Sequence, residues 1–316
     1  FTITRKGISV PTCAAKTYTG SPQTLFSSGT GYTAGGTTSG TDAGTYTATA
    51  TPTGNYQWND KTTTAKNISC KINAKSVAVT WGTTTSFTYN GSAQAPIASA
   101  SSGITGETIN VTRTTGTNAG SYTSTASCSS VSGGRAKCSN YSLTGNTKAF
   151  TITRKGISVP TCAAKTYTGS PQTLFSSGTG YTAGGTTSGT DAGTYTATAT
   201  LTGNYQWSDG TTTAKNISCK INAKSVAVTW GTTTSFTYNG SAQAPTASAS
   251  SGITGETINV TRTTGTNVGS YTSTASCSSV SGGRAKCSNY NLTGNTKAFT
   301  ITRKGISVPT CAAKTY

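Results

Sequence analysis

Short runs in which apolar and polar residues alternate are the main pattern along this chain. Such runs lie at 46–50, 68–72 and 77–81, where aromatic or aliphatic residues alternate with Thr, Ser or Lys. A period of two places one set of side chains on one face of a strand, and abundant Thr, Val, Tyr and Ile favour strands. No stretch carries apolar residues at the i, i+3, i+4, i+7 spacing of an amphipathic helix. The pattern, with turn residues such as Gly35-Gly36 at short intervals, predicts an all-β protein.

The sequence repeats itself with a long period. The segment that begins at Phe1 returns at Phe150 and again at Phe299, so the period is 149 residues. A repeat at a fixed period is the signature of an array of similar structural units. The first two copies differ at these positions: Pro52/Leu201, Asn59/Ser208, Lys61/Gly210, Ile97/Thr246, Ala119/Val268 and Ser142/Asn291.

Each copy contains a weaker internal repeat. The motif at 18–21, Tyr-Thr-Gly-Ser, matches Tyr-Asn-Gly-Ser at 89–92, and Asp-Ala-Gly-Thr-Tyr at 42–46 matches Asn-Ala-Gly-Ser-Tyr at 118–122. A copy is therefore a pair of related modules, A and B, joined without a Gly or Pro hinge, and we expect stiff junctions. We divide the chain into the last strand of a preceding B module (1–5), an A module (6–74), a B module (75–154), a second A module (155–223), a second B module (224–303) and the start of a further A module (304–316). Because both ends fall inside modules, we infer a window of a longer array.

The module motifs resemble a known family. The Tyr-x-Gly-Ser start, the Asp/Asn-Ala-Gly-Thr/Ser-Tyr-Thr core and the closing Ile-x-x-Lys are similar to the tandem MBG/YDG-type modules of large bacterial surface adhesins and fibres. The resemblance covers essentially the whole chain. It implies a tandem array of small immunoglobulin-like β-sandwich modules, arranged as beads on a string, or β-grasp-like modules, and it transfers no catalytic residues. The many cysteines depart from the family pattern.

Nine cysteines are distributed by module type. Cys13 and Cys70 of type A align with Gly82 and Phe150 of type B, so both are lost together. Type B carries two cysteines in an insertion that type A lacks. The comparison predicts the disulfides Cys13–Cys70, Cys128–Cys138, Cys162–Cys219 and Cys277–Cys287, with the partner of Cys311 beyond the sequence. The alternatives are reduced thiols or a zinc site, but the CxxC spacing typical of zinc sites is absent. Disulfides would indicate an oxidising, exported location.

Two further hypotheses concern single residues. Tyr46, Tyr122, Tyr195 and Tyr271 have the spacing of a tyrosine corner, in which the hydroxyl bonds back to the preceding chain; the alternative is a plain buried tyrosine after a glycine turn. A Lys–Asn isopeptide bond in the B modules, with Glu107 as the assisting acid, is the second hypothesis, and each such bond would remove one ammonia from the intact mass.

Charge and composition exclude several classes of function. The chain has 24 Lys and Arg against 6 Asp and Glu, a net charge of +18, and no His. Imidazole catalysis and His metal sites are excluded, so we expect no enzyme, cofactor or metal. No ~20-residue apolar run that could span a membrane occurs. Cations near junctions and at Arg135 and Lys137 could attract anionic glycans or cell surfaces, or simply form a solvated face. Without a basic run that interleaves aromatics, we expect no specific nucleic-acid binding.

The sequence therefore predicts the structural repeat region of an extracellular, disulfide-stabilised bacterial fibre or adhesin stalk at the cell surface. Near-identical copies add length rather than new chemistry. The expected partners are neighbouring modules of the same chain and laterally associated copies. The alternative is a multivalent array that binds glycans or an anionic surface through many weak contacts.

Overall fold

The computed structural model describes residues 1–133, 137–282 and 286–314, so Arg135 of the predicted basic group lies outside the described residues. The chain forms two compact units, Phe1–Lys155 and Gly156–Tyr316. The described residues contain strands and two short 3₁₀ turns, Cys138–Asn140 and Cys287–Asn289, but no α-helix. The prediction of an all-β protein is confirmed.

The strands that come first along the chain belong to the first A–B copy. They are β1 (Lys6–Ile8), β2 (Lys16–Thr17), β3 (Gln23–Thr24), β4 (Tyr32–Gly36), β5 (Ser39–Gly40), β6 (Gly44–Pro52), β7 (Tyr56–Trp58), β8 (Lys66–Asn73), β9 (Lys75–Trp81), β10 (Ser86–Thr88), β11 (Ala98–Ala100), β12 (Thr108–Arg113), β13 (Gly120–Ser132), β14 (Tyr141–Thr144) and β15 (Thr147–Thr153).

The following strands repeat this order. They are β16 (Lys155–Ile157), β17 (Lys165–Thr166), β18 (Gln172–Thr173), β19 (Tyr181–Gly185), β20 (Ser188–Gly189), β21 (Gly193–Leu201), β22 (Tyr205–Trp207), β23 (Lys215–Asn222), β24 (Lys224–Trp230), β25 (Ser235–Thr237), β26 (Ala247–Ala249), β27 (Thr257–Arg262), β28 (Gly269–Ser281), β29 (Tyr290–Thr293) and β30 (Thr296–Thr302).

The main sheets of the A and B modules have the same topology. The A sheet has the order β2-β8-β6-β4 and the B sheet the order β10-β15-β13-β12; in each, the first pair is parallel and the others antiparallel. The registers also correspond, since Tyr46 lies opposite Cys70 in the A sheet and Tyr122 opposite Phe150 in the B sheet. The B module also has a smaller sheet, β11-β9-β14, whose parallel pair β9-β14 corresponds to the parallel pair β1-β7 of the A module; the A module has a further two-stranded sheet, β3-β5. The second unit has sheets of the same orders.

The alternation seen in the sequence sorts side chains between core and solvent. Along β8, Ile68, Cys70 and Ile72 are buried while the residues between them are exposed. The largest fully buried side chains among the described residues are Trp58 and its copy Trp207, and the indole Nε1 of Trp58 donates a hydrogen bond to the carbonyl of Thr64 at 2.9 Å. Such bonds allow an aromatic side chain with a polar atom to be fully buried.

The core of the first unit runs across the boundary between its modules. One cluster of buried residues joins A-module side chains such as Tyr18 and Trp58 to Val77, Ile109 and Tyr141 of the B module. A smaller cluster at the other end of the B sheet contains Ala95, Phe150 and Ile152. The pair of modules, rather than one module, is therefore the compact body.

Residues 1–5 and 303–314 are exposed and form no strand. Phe1 and Ile3 are exposed, whereas the same motif in β15 buries Phe150 and Ile152. In β15 the motif lies between β10 and β13, whereas residues 1–5 pair with no strand among the described residues. Cys311 is likewise exposed and forms no disulfide in the described part of the chain.

The positions that differ between the two copies avoid the core, since none of the twelve residues is buried. One difference changes the conformational energy of the backbone. Lys61 has a φ of 65°, in the left-handed region, and its counterpart Gly210 has a φ of 81° in the same turn. The backbone N–H of either residue donates to the carbonyl of the preceding tryptophan at 2.8 Å.

Replacing Lys61 with glycine should stabilise the first unit. A non-glycine residue in the left-handed region costs about 1–2 kcal/mol, part of which is offset by the greater freedom of glycine in the unfolded chain. We expect Lys61→Gly to raise the free energy of unfolding by about 0.5–1 kcal/mol, measured by urea unfolding. Gly210→Lys should produce a change of opposite sign in the second unit. An unchanged or lowered stability of Lys61→Gly would contradict the prediction.

Candidate functional site

The residues that the structure describes form four disulfides, which confirms the prediction that the chain contains disulfide bonds. Their pairs are Cys13–Cys70, Cys128–Cys138, Cys162–Cys219 and Cys277–Cys287. The Cys13–Cys70 disulfide, with Cα atoms 5.1 Å apart, ties the segment between β1 and β2 to the fully buried Cys70 of β8. In the B module the equivalent place is filled by Phe150, whose ring stacks on Tyr122 at a centroid distance of 5.3 Å.

The Cys128–Cys138 disulfide does not join two paired strands of one hairpin. Cys128 lies in β13 of the main B sheet, and Cys138 begins the 3₁₀ turn that leads into β14 of the smaller sheet. Their Cα atoms are 5.7 Å apart. This disulfide therefore connects the two sheets of the B module, and both of its cysteines are partly exposed.

The four tyrosines predicted as tyrosine corners make the same contact. Each hydroxyl donates to the backbone carbonyl four residues earlier, and the ring lies over a glycine, such as Gly40 beneath Tyr46, where a Cβ would overlap it. The hydrogen bonds are Tyr46 to Asp42 at 2.6 Å, Tyr122 to Asn118 at 2.8 Å, Tyr195 to Asp191 at 2.7 Å and Tyr271 to Asn267 at 2.8 Å.

A glutamine makes a matching contact in all four modules, which the sequence analysis missed. Gln23 donates through Nε2 to the carbonyl of Thr17 at 3.0 Å, and Gln94 donates to the carbonyl of Thr88 at 3.1 Å. The second unit has the same bonds from Gln172 and Gln243. The signal was present, because Tyr-x-Gly-Ser-x-Gln occurs in both module types.

Residues at and just after the end of the B-module insertion form polar contacts with the A module of the same unit. Lys137 Nζ lies 2.9 Å from Asp42 Oδ2, and Asn140 Nδ2 donates to Asp42 Oδ1 at 2.9 Å. The backbone N–H of Ala43 donates to Asn140 Oδ1 at 2.8 Å, and Asn140 is fully buried. We call these four residues the clasp. The second unit repeats it with Asp191, Ala192, Lys286 and Asn289, at 2.9, 3.0 and 2.7 Å.

A second polar group lies in the same interface. The Tyr18 hydroxyl donates to Glu107 Oε1 at 2.8 Å, and the Tyr141 hydroxyl donates to Glu107 Oε2. The two tyrosine rings meet edge to face, with centroids 5.5 Å apart. Ser102 Oγ holds the Glu107 turn by donating to its backbone carbonyl at 2.6 Å. We call Tyr18, Glu107 and Tyr141 the tyrosine–glutamate cluster.

The contacts of Glu107 bear on the isopeptide hypothesis. Both of its carboxylate oxygens accept tyrosine hydroxyls, and Glu107 is in none of the four salt bridges found among the described residues. Asn140, a fully buried amide of the same unit, is hydrogen-bonded to Asp42 and to the backbone N–H of Ala43. The arrangement joins the two modules through hydrogen bonds, and the isopeptide hypothesis gains no support from it.

The tyrosine–glutamate cluster should make the fold sensitive to alkali. Burial, followed by the hydrogen bond to Glu107 and the charge of Glu107, raises the pKa of Tyr18 from 10.0 to about 12, and the same causes raise the pKa of Tyr141. The folded state thus favours the neutral tyrosines, so their contribution to stability is complete below pH 10 and is lost as the pH rises towards 12 and above. Tyr167 and Tyr290 repeat the effect.

We therefore expect four of the 15 tyrosines to ionise late in an absorbance titration, together with a loss of stability in the same pH range. The control is the double variant Tyr18→Phe, Tyr167→Phe, which should remove two of the late groups. Ionisation of all tyrosines in one step near pH 10, with the protein still folded, would contradict the prediction.

All six acidic side chains of the chain accept hydrogen bonds within their own unit. Besides Asp42 and Glu107, Asp60 accepts from Thr62 and Lys66, and these contacts lower its pKa. Asp191, Asp209 and Glu256 repeat these contacts in the second unit. The net charge of +18, in which these six carboxylates are already counted, can act on anions in the surroundings.

No group of three or more Cys, Asp or Glu side chains is arranged to hold a metal ion in the ranges that the structure covers. Over the same ranges, none of the helical segments has the length and apolar character required to cross a bilayer.

Two comparisons with known proteins gave no match. No protein-family model matches the chain, and no curated protein sequence matches it either. The resemblance to MBG/YDG-type modules thus depends on the short motifs alone and stays a prediction.

Proposed function

We propose that this chain is the structural repeat region of an extracellular bacterial fibre or adhesin stalk. Its A and B modules, 6–74 and 75–154 with their copies, would be immunoglobulin-like sandwiches joined in pairs. The observation that carries the proposal is the duplication of internal contacts: core, disulfides, clasp and tyrosine–glutamate cluster recur in both units with the same partners. Copies that preserve the same internal contacts lengthen the chain without introducing a new reactive group.

The internal bonds suit a part that must resist unfolding and proteolysis. Each A–B pair contains two disulfides, one within each module, and the two modules share one buried core. Disulfides constrain the unfolded chain and persist in oxidising surroundings, so they support a location outside the cytoplasm. Substitutions between the copies are confined to positions that are not buried, which is consistent with selection on the fold rather than on a reactive site.

Imaging of the producing cells tests this proposal. Antibodies raised against one A–B pair should label filaments on intact, unpermeabilised cells, and electron microscopy should show a repeat along the filament that matches one pair. The control is a cytoplasmic marker, which must stay unlabelled. Labelling only after permeabilisation, or surface labelling without a filament, would exclude the stalk.

The second candidate is a multivalent array that binds glycans or an anionic surface. The engagement of all six carboxylates inside the units, at a net charge of +18, is the observation in its favour. This function predicts saturable binding to an anionic glycan that strengthens from one unit to two. A stalk alone predicts weak adsorption that disappears at physiological salt, because exposed charges are screened there.

A further inference from the structure

The smaller disulfide lies next to the residues that join the two modules. Cys138 begins the 3₁₀ turn, Asn140 ends it, and Lys137 immediately precedes it. Both Lys137 and Asn140 contact Asp42 of the A module. The other cysteine, Cys128, is held in β13 by pairing with Val111 of β12. The disulfide therefore fixes the 3₁₀ turn that carries Asn140 to a strand of the B module's main sheet.

We propose that Cys128–Cys138, and its copy Cys277–Cys287, is a thiol-exchange site whose opening loosens the clasp. The proposal concerns the contact between modules and stands whether or not the array forms a fibre. When the disulfide is open, the turn keeps its connection to β14 but loses the covalent crosslink between Cys138 and Cys128 of β13. Asn140 and Lys137 then lose the crosslink that positions them against Asp42, while the core disulfide and the shared core remain.

Burial explains why this disulfide should react before the core disulfide. Exchange requires that a thiolate attack one sulphur and that the other sulphur leave as a thiolate. Cys128 and Cys138 are both partly exposed, so water can solvate the departing thiolate. Opening the core disulfide by attack on Cys13 would release a thiolate at Cys70, which is 0% exposed and surrounded by apolar residues. A buried, unpaired charge of this kind is costly.

The reductant class is a dithiol. Its first thiolate attacks one protein sulphur, forming a mixed disulfide and expelling the other cysteine as a thiolate. Its second thiol, after deprotonation, attacks the mixed disulfide, which releases the second cysteine thiolate and leaves the reagent as a cyclic disulfide. The protein disulfide gains two electrons, the two reagent thiols are oxidised to one disulfide, and the protons they lose are taken up by the protein thiolates.

The backbone N–H of Ala43 is a direct reporter of the clasp. It belongs to the A module but donates to Asn140 Oδ1 of the B module at 2.8 Å. If opening the disulfide loosens the clasp, hydrogen exchange at Ala43 should rise about tenfold, the change expected when roughly one net hydrogen bond is lost. Exchange at Ala48, which is fully buried in the middle of β6, should stay unchanged.

The experiment uses the full chain, with the exposed thiol of Cys311 alkylated first so that it cannot take part in exchange. The chain is treated with limiting dithiothreitol, the new thiols are alkylated with a second label and mapped by mass spectrometry, and amide exchange is followed at Ala43 and Ala48. We expect label at Cys128 and Cys138 and faster exchange at Ala43 only. Opening of Cys13–Cys70 first, unchanged exchange at Ala43, or an equal rise at Ala48 would each overturn the proposal.

A variant removes the dependence on a reductant. Cys128→Ser with Cys138→Ser opens the site permanently in the first unit and leaves the second unit intact. Exchange at Ala43 should then be fast with or without dithiothreitol, while Ala192, the equivalent amide in the second unit, should respond to the reductant as before. A variant in which Ala43 stays as protected as Ala192 in the absence of reductant would also overturn the proposal.

Discussion

Loss of the core disulfide should lower the stability of the first unit by about 4 kcal/mol. The double variant Cys13→Ala, Cys70→Ala releases a crosslink that spans 57 residues, and the chain-entropy model gives this value for such a loop. Because Cys70 lies within the main buried cluster, the variant also removes side-chain atoms from the core. For a unit of this size, we expect the melting temperature to fall by roughly 8–16 °C, measured by calorimetry.

The second unit is a matched control within the same molecule. It keeps Cys162–Cys219, so its transition should stay at the original temperature and the melting curve should separate into two steps. A second comparison is Cys128→Ala with Cys138→Ala, whose shorter loop predicts a smaller loss of about 3 kcal/mol. A single unshifted transition for the Cys13→Ala, Cys70→Ala variant would show that the core disulfide contributes little.

Removal of the Glu107 carboxylate should cost about 3 kcal/mol. Glu107→Ala leaves the hydroxyls of Tyr18 and Tyr141 without their acceptor, and both tyrosines are buried. A buried polar group without a hydrogen-bond partner costs about 1–3 kcal/mol. Because the tyrosine–glutamate cluster lies between the modules, the loss should appear as one cooperative shift of the whole first unit in urea unfolding.

Two variants separate this effect from simple truncation. Glu107→Gln keeps the shape and one acceptor oxygen, so it should cost less than Glu107→Ala. The triple variant Glu107→Ala, Tyr18→Phe, Tyr141→Phe removes the unpaired hydroxyls as well, and it should recover part of the lost stability. If the triple variant were less stable than Glu107→Ala alone, the unpaired hydroxyls could not be the cause.

The sequence predicts the elements of this fold well because they depend on local patterns. The alternation at 46–50 and 68–72 lies in β6 and β8, and the comparison of the A and B motifs correctly implied equivalent positions for Cys70 and Phe150, which occupy the same register in their sheets. These features repeat within the chain, so each module served as evidence for the other.

The contacts between modules could not be predicted in the same way. The bonds from Asn140 to Asp42 and from Tyr18 to Glu107 join residues 98 and 89 positions apart that lie in different modules. Comparing the motifs of A with those of B therefore gives no sign of either bond. Alternation specifies which face of a strand is buried, but not which module covers it. The shared core and the sheet-to-sheet disulfide of the B module follow from that packing.

The clasp has a consequence for how such genes can gain or lose repeats. Both halves of the clasp lie within one A–B pair, with Asp42 in one module and Asn140 in the next. Deleting a single module would leave a buried amide or a carboxylate without its counterpart, whereas a deletion or duplication in steps of 149 residues leaves every pair complete. Recombination should therefore be tolerated in whole pairs, and natural length variants should differ by multiples of that step.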